Sequence, residues 1–346
     1  MQKKLIALAI ASALIAPALA YAEATVYGQA NISIDMVNDG NATSSSANQL
    51  NSYGSRFGLK GSESLDGGMS LVWQLEGGVN VDDGTATTVG KFFDRESNIG
   101  LASDSMGTVM LGLQASPYKA STRGLDVFGD TAADNRSLLS GLHDESATNA
   151  ISYKSPSMGG FTLVAATVFG AETPQPSPAK KGSAIGLAAM YEQGPIYAAL
   201  AIDNAKFGSA GSGQLGATNP PAVDDESNAF MLGGSYSMDA IMVSAEFEQL
   251  TDKTALTSTE AKHTNLYFGG KFSISSADAV KLAYTMVGET KVGGTGLSDE
   301  VTQVAVGYDH GMSKNTSVYA LYTKVTDKAI GAADPSVISL GIKHVF

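Results

Sequence analysis

The sequence has no cysteine among its 346 residues, a single tryptophan, and only 22 Lys and Arg against 34 Asp and Glu. The missing cysteine removes thiolate metal sites, cysteine nucleophiles and disulfide staples together, so stability has to come from elsewhere. The shortage of base, a net charge of −12, argues against nucleic acid as a partner, because phosphate binding needs clustered Lys and Arg. Long apolar runs are lacking too. Past the first residues the longest, at 161–170 and 194–202, are interrupted by Gly, Thr or Pro and reach about half the ~20 residues of a spanning helix. Histidine is scarce: His143, His263, His310 and His344 lie on separate segments, with no H-x-x-x-H pair and no spacing to a serine motif. A hydrolase could draw only on His143 with Asp144 near one rim, so no catalytic residue, resident metal or cofactor is expected. Asp82-Asp83 and Asp224-Asp225-Glu226 lack the spaced oxygens of a calcium loop and read as exposed loop charges.

What is present begins with Met-Gln-Lys-Lys, an apolar run from Leu5 to Ile15, then Pro17 and small-residue endings at Ala20 and Ala22. A positive start, a short apolar core and an A-x-A ending predict a signal peptide over 1–22, leaving one domain over 23–346. Removing 1–22 takes away Lys3 and Lys4 and moves the net charge from −12 to −14.

The remaining chain is written in period two. Met69, Leu71, Trp73 and Leu75 alternate with Ser70, Val72, Gln74 and Glu76, and Ile338, Leu340, Ile342 and Phe346 with Ser339, Gly341 and Lys343. A helix would space its apolar residues three to four apart, so these are strands with one greasy and one wet face. Any single one could belong to a soluble sandwich. Sixteen of them occur, from 24–35 to 335–346, each long enough to cross a bilayer obliquely. Their connections alternate in length: short at Leu65–Gly67 or Gln193-Gly194, long at 36–50, 80–90, 116–145, 171–182, 206–226, 252–262, 291–298 and 327–334. Pro174, Pro176, Pro178, Pro220 and Pro221 fall in the long class, where no ladder hydrogen bond is lost. The fold class is therefore an all-β, closed antiparallel transmembrane barrel of sixteen strands with short periplasmic turns and long outer loops; closure satisfies every backbone group in lipid.

Val26-Tyr27-Gly28, Ser55–Glu63 (SRFGLKGSE), Trp73–Glu76, Val306–Asp309 followed by Met312–Lys314, and Tyr319–Tyr322 together resemble the general porins of Gram-negative bacteria, the trimeric sixteen-stranded branch. The resemblance implies an outer-membrane, water-filled pore for small hydrophilic solutes and ions, a homotrimer, and contact with outer-membrane lipid and lipopolysaccharide. The terminal Phe346 resembles the aromatic signal that such barrels present to their insertion machinery. In that family the third outer loop folds into the barrel, its acids facing a basic wall; here 116–145 takes that place, and Leu125–Thr131 resembles the narrowing segment.

Asp126 and Asp130 are therefore the pore-facing candidates on the loop, with Arg136 beside them. On the wall, Arg56 and Lys60 share the parity opposite Phe57 and Leu59, and a charge facing lipid at mid-membrane would cost ~2–4 kcal/mol, so both belong in the lumen. Glu76 faces inward by the same rule. Arg95 joins them if its strand has ended or bent by that residue, since Ile99 and Leu101 share its parity. Family members often carry an arginine where this chain has Leu113; with the acidic total, that absence leads to the expectation of a weakly cation-selective pore. A substrate-selective channel, a barrel adhesin or receptor, and a barrel enzyme are the other readings, separated from the first by whether 116–145 narrows the lumen.

Overall fold

The structure is a computed structural model, and it describes residues 23–41, 46–170, 182–208, 225–254 and 259–346. The expected leader at 1–22, the prolines at 174, 176, 178, 220 and 221, and Asp224 lie outside those residues.

Sixteen strands make one wall: β1 (Glu23–Asn38), β2 (Ala47–Ser52 continued by Arg56–Leu65), β3 (Met69–Asn80), β4 (Glu96–Ser103), β5 (Gly107–Ala115), β6 (Ser146–Lys154), β7 (Phe161–Phe169), β8 (Ser183–Gln193), β9 (Ile196–Lys206), β10 (Glu226–Met238), β11 (Ile241–Thr254), β12 (Thr259–Ser273), β13 (Asp278–Val287), β14 (Val301–Gly311), β15 (Thr316–Asp327) and β16 (Ser336–Val345). Each pairs antiparallel with its sequence neighbour. The seam closes where β1 meets β16, from Gln29 opposite Val345 to Asn38 opposite Ser336. Phe346 finishes it with two backbone bonds to Gly28, N–H to O at 3.1 Å and O from N–H at 2.9 Å. Closure leaves no unpaired edge, which is what lets a sheet sit in hydrocarbon.

Alternation decides which way each side chain points, because successive residues of a strand face opposite sides. Ile338, Leu340 and Ile342 are each close to half exposed on the outer surface. Trp73 lies outward as well, its indole over Gly61 of the adjoining strand, where a side chain would collide with it. The apolar belt is therefore on the outside and the polar residues inside, the inverse of a soluble core. The buried apolar clusters that do exist lie inside the barrel, where the 116–145 loop packs against the inner wall.

Candidate functional site

The long loop between β5 and β6 begins with a short helix, α1 (Pro117–Thr122), capped by Ser116 Oγ, which accepts from Lys119 N at 3.0 Å. Its base is closed by Ser116 N–H to Glu145 O (3.1 Å) and Ser116 Oγ–H to His143 O (2.8 Å). From there the loop turns into the barrel and fastens to the far wall. Tyr118 Oη donates to Glu248 Oε1 (2.5 Å), Ser244 Oγ donates to Leu125 O (2.7 Å), and Val127 N donates to Tyr267 Oη (2.9 Å). Tyr118, Leu125 and Phe128 are fully buried. Two wall glycines make room for them. A Cβ at Gly307 would sit 2.7 Å from the Phe128 ring, and one at Gly233 would strike Leu125.

Asp130 is the hub of the loop tip. Its backbone is held at φ 59°, a region rarely used by side-chain-bearing residues, by Asn31 Nδ2 donating to its carbonyl at 2.5 Å and its own N–H donating to Asp134 Oδ2 at 2.7 Å. Its carboxylate takes Arg56 on one oxygen and Arg136 on the other, both at 3.0 Å, with Gln29 Nε2 at 3.2 Å. Burial alone would raise its pKa; the Arg56 guanidinium outweighs that, with help from Arg136, and holds the carboxyl down at about 2. Arg136 also forks onto Asp134. On the strand next to Arg56, Glu76 accepts from Arg95 Nε at 2.6 Å and from Tyr27 Oη at 2.9 Å. Arg95 sits just before β4, which begins at Glu96, so parity with Ile99 and Leu101 does not bind it.

A cavity of about 620 Å³ lies between this loop and the opposite wall, lined by Arg56, Glu76, Arg95, Asp126, Asp130 and Arg136 and also by Lys119, Arg123, Asp144, Glu246, Lys281 and Lys343. The sequence profile of the family described as Gram-negative porin matches residues 7–329. The chain belongs to the Gram-negative porins. Outer membrane porin protein 32 of Delftia acidovorans is 28% identical over 357 residues, covering 100% of this chain and 94% of its own length. An outer membrane porin protein of Bordetella pertussis is 28% identical over 331 residues, covering 85% and 82%. Among solved structures, the anion-selective porin from Comamonas acidovorans superposes with a TM-score of 0.73 at 23% identity, covering 94% of this chain and all of that one. OmpT of Vibrio cholerae in its trimer form gives 0.70 at 14%, covering 94% and 99%. The porin is an outer-membrane barrel.

Six of the seven residues singled out in the sequence of this porin, all but Lys60, meet around the one cavity. Lys60 faces the lumen, its ammonium 4.9 Å from the centre of the Tyr27 ring, but it does not reach the cavity. Asp126 reaches it with a carboxylate already engaged: Phe128 N (2.8 Å) and Tyr267 Oη (3.0 Å) donate to one oxygen, Asn135 N (3.0 Å) to the other. It staples the loop more than it faces the pore. Burial, with the charge of Asp134 adding, pushes it up to about 6. The role expected for Leu113 also needs correction. Leu113 keeps the parity of Val109 and Leu111, which are exposed on the outer face, while Met110 and Gln114 face inward, so Leu113 opens no gap in the lumen wall.

Sequence reasoning missed much of the basic lining. Arg123 pairs with Asp144 at 2.8 Å, and Lys281 pairs with Asp309 at 2.8 Å beneath the Phe128 ring. Burial pushes Asp144 up to about 6 and Lys119 down to about 8. Lys343 was on a wet face in the sequence, and Lys281 alternates with Val280 and Leu282 in the same way, but only closure of the barrel brings β13 and β16 to the cavity that β3 lines. His143, set aside with Asp144, instead contacts Asp203 Oδ2 through Nδ1 (2.8 Å) and Ser227 Oγ through Nε2 (2.9 Å). Ser227 gives its proton to Asp252 and is 4% exposed, so this group clamps the loop end to the wall.

Proposed function

We propose that this porin is a general-diffusion channel for small hydrophilic solutes and ions, with the cavity at 116–145 as its narrowest section and a weak preference for anions. One observation carries the selectivity: in each arginine pair of the cavity the base is more exposed than its acid, and only the Lys281–Asp309 pair runs the other way, at 10 and 31%. Side chains of Arg123, Arg95, Arg136 and Arg56 are 32, 28, 28 and 25% exposed, against 16, 12, 9 and 5% for Asp130, Asp134, Glu76 and Asp144. A permeating ion therefore meets guanidinium edges first, and fields within a Debye length of ~8 Å count most. This reverses the cation preference expected from the acidic total, which includes 11 carboxylates on long connections other than 116–145, and from Leu113. The likeness of the barrel to the anion-selective porin from Comamonas acidovorans agrees with the reversal.

The same reading makes the chain a non-enzymatic pore. It is exported by a leader over 1–22, inserted through a machinery that reads Phe346, assembled as a homotrimer, and bordered by lipid and lipopolysaccharide. The trimer form of the Vibrio cholerae OmpT structure favours that assembly. The reversal potential of the purified porin in a planar bilayer across a salt gradient tests the selectivity; a clear cation preference at pH 7 overturns it.

A further inference from the structure

The inner face of β15, β16 and β1 carries a polar patch beside the cavity, whose lining includes Tyr319. Register assembles it: Asp35 stands opposite Ser339, and Ser33 opposite Gly341, with Tyr319 opposite Gly341 from the other side. Gly341 leaves the space that the Tyr319 ring fills. The Tyr319 hydroxyl donates to Asn31 Oδ1 at 3.1 Å, and Ser33, Ser339 and Asp35 all lie around that phenol. The patch is sealed from solvent, with Asp35 and Ser339 at 0% exposure and Ser33 at 2%. Ala133 and Leu139 of the inward loop belong to the same packed cluster as Tyr319 and Leu321, which places the loop over it.

Hydrogen-bond accounting leaves a remainder. Asp35 Oδ2 accepts from Asn51 Nδ2 (2.7 Å) and Tyr53 Oη (2.6 Å), both neutral donors. Asp35 Oδ1 has no partner among the described residues, and Ser33 Oγ and Ser339 Oγ meet only the Tyr319 phenol. A buried carboxylate with only neutral donors is costly, and the register sets Ser339 opposite it and Ser33 two residues along the same face, hydroxyls that offer lone pairs as readily as protons. What the patch lacks is one positive charge that takes oxygen ligands. A divalent ion calls for several carboxylates, and among the described residues no group of three His, Cys, Asp or Glu could hold one.

We propose that Asp35, Ser33 and Ser339 bind a single monovalent hard cation of sodium size, matched in charge by the one carboxylate. The site bears on the loop, because Asn31, which meets the same phenol, also holds the Asp130 carbonyl.

The test is thermal unfolding of the detergent-purified porin in NaCl or N-methylglucamine chloride at equal ionic strength and pH 8. Sodium raises the unfolding temperature saturably and N-methylglucamine does not. Asp35→Asn keeps the side-chain size and an acceptor for Asn51 and Tyr53, and it removes the sodium dependence. Ser33→Ala with Ser339→Ala keeps the carboxylate and raises the half-saturating sodium roughly tenfold; this variant carries the test if Asp35→Asn does not fold. Equal unfolding temperatures of the wild-type porin in the two salts would mean that a proton or water fills the site, and would overturn the proposal. An unchanged sodium response in Asp35→Asn would overturn it as well.

Discussion

Replacing Asp130 by Asn removes one negative charge from between two arginines while keeping the side-chain volume. Arg56 and Arg136 then face the lumen with one fewer counter-charge. For an ion passing at about 5 Å, a unit charge in water is worth ~0.8 kcal/mol, and screening at physiological salt cuts this to ~0.4 kcal/mol. The change favours anions and disfavours cations alike, so the anion-to-cation permeability ratio rises roughly fourfold. A second effect is on the loop. With its carboxyl held at about 2 against an ordinary value of 3.8, Asp130 contributes about 2 kcal/mol to the folded loop at neutral pH. The pKa is depressed in the folded state, so this contribution is present above pH ~4 and lost as pH falls through ~2. The assay is the reversal potential of single variants in planar bilayers, with Asp83→Asn, a fully exposed loop acid, as the comparison. If Asp130→Asn leaves the ratio unmoved while Asp83→Asn shifts it at 0.15 M salt, the narrow section has been placed on the wrong loop.

Anion preference increases when pH falls from 7 to 5, because Asp126 and Asp144, both pushed up to about 6, become neutral; a bilayer pH series that shows the reverse would contradict the charge placement. Their raised values also mean that the loop is held more tightly as pH falls from ~6 to ~4, which hydrogen exchange over 126–144 can follow. Above pH 8 the preference declines as Lys119, pushed down to about 8, loses its proton, and Lys119→Met abolishes that limb of the profile. Phe128→Ala empties a fully buried ring site and costs the loop packing ~3–5 kcal/mol, seen as larger current noise and faster proteolysis within 116–145 with the barrel intact. Deleting Phe346, which closes the seam at Gly28, lowers the yield of folded barrel in the outer membrane far more than Lys343→Ala, and equal yields would refute the insertion role.

The barrel was legible in the sequence because its physics is local. A strand in lipid needs one apolar face, and the period-two pattern of Met69–Glu76 or Ile338–Phe346 records that residue by residue; a turn needs few residues and a loop tolerates prolines, so the alternation of lengths was visible too. Parity placed Arg56, Lys60, Glu76 and Trp73 on their correct faces without any coordinate. Parity gives only in or out, and height along the pore is a matter of register, so Lys60 could not be distinguished from Arg56 as lying off the cavity. It also fails where a strand ends, as at Arg95, and a family spacing misleads where parity is not checked, as at Leu113. Only the tertiary structure decided what faces what across the lumen: Lys281 and Lys343 are more than 200 residues from Glu76 and come near it because the sheet closes at β1 and β16. It alone turned Asp126 from a pore charge into a staple, since a carboxylate's role depends on which donors surround it. The charge selectivity proposed for the pore rests on which ends of the ion pairs remain wet, and that is a property of packing that a count of acids and bases does not contain.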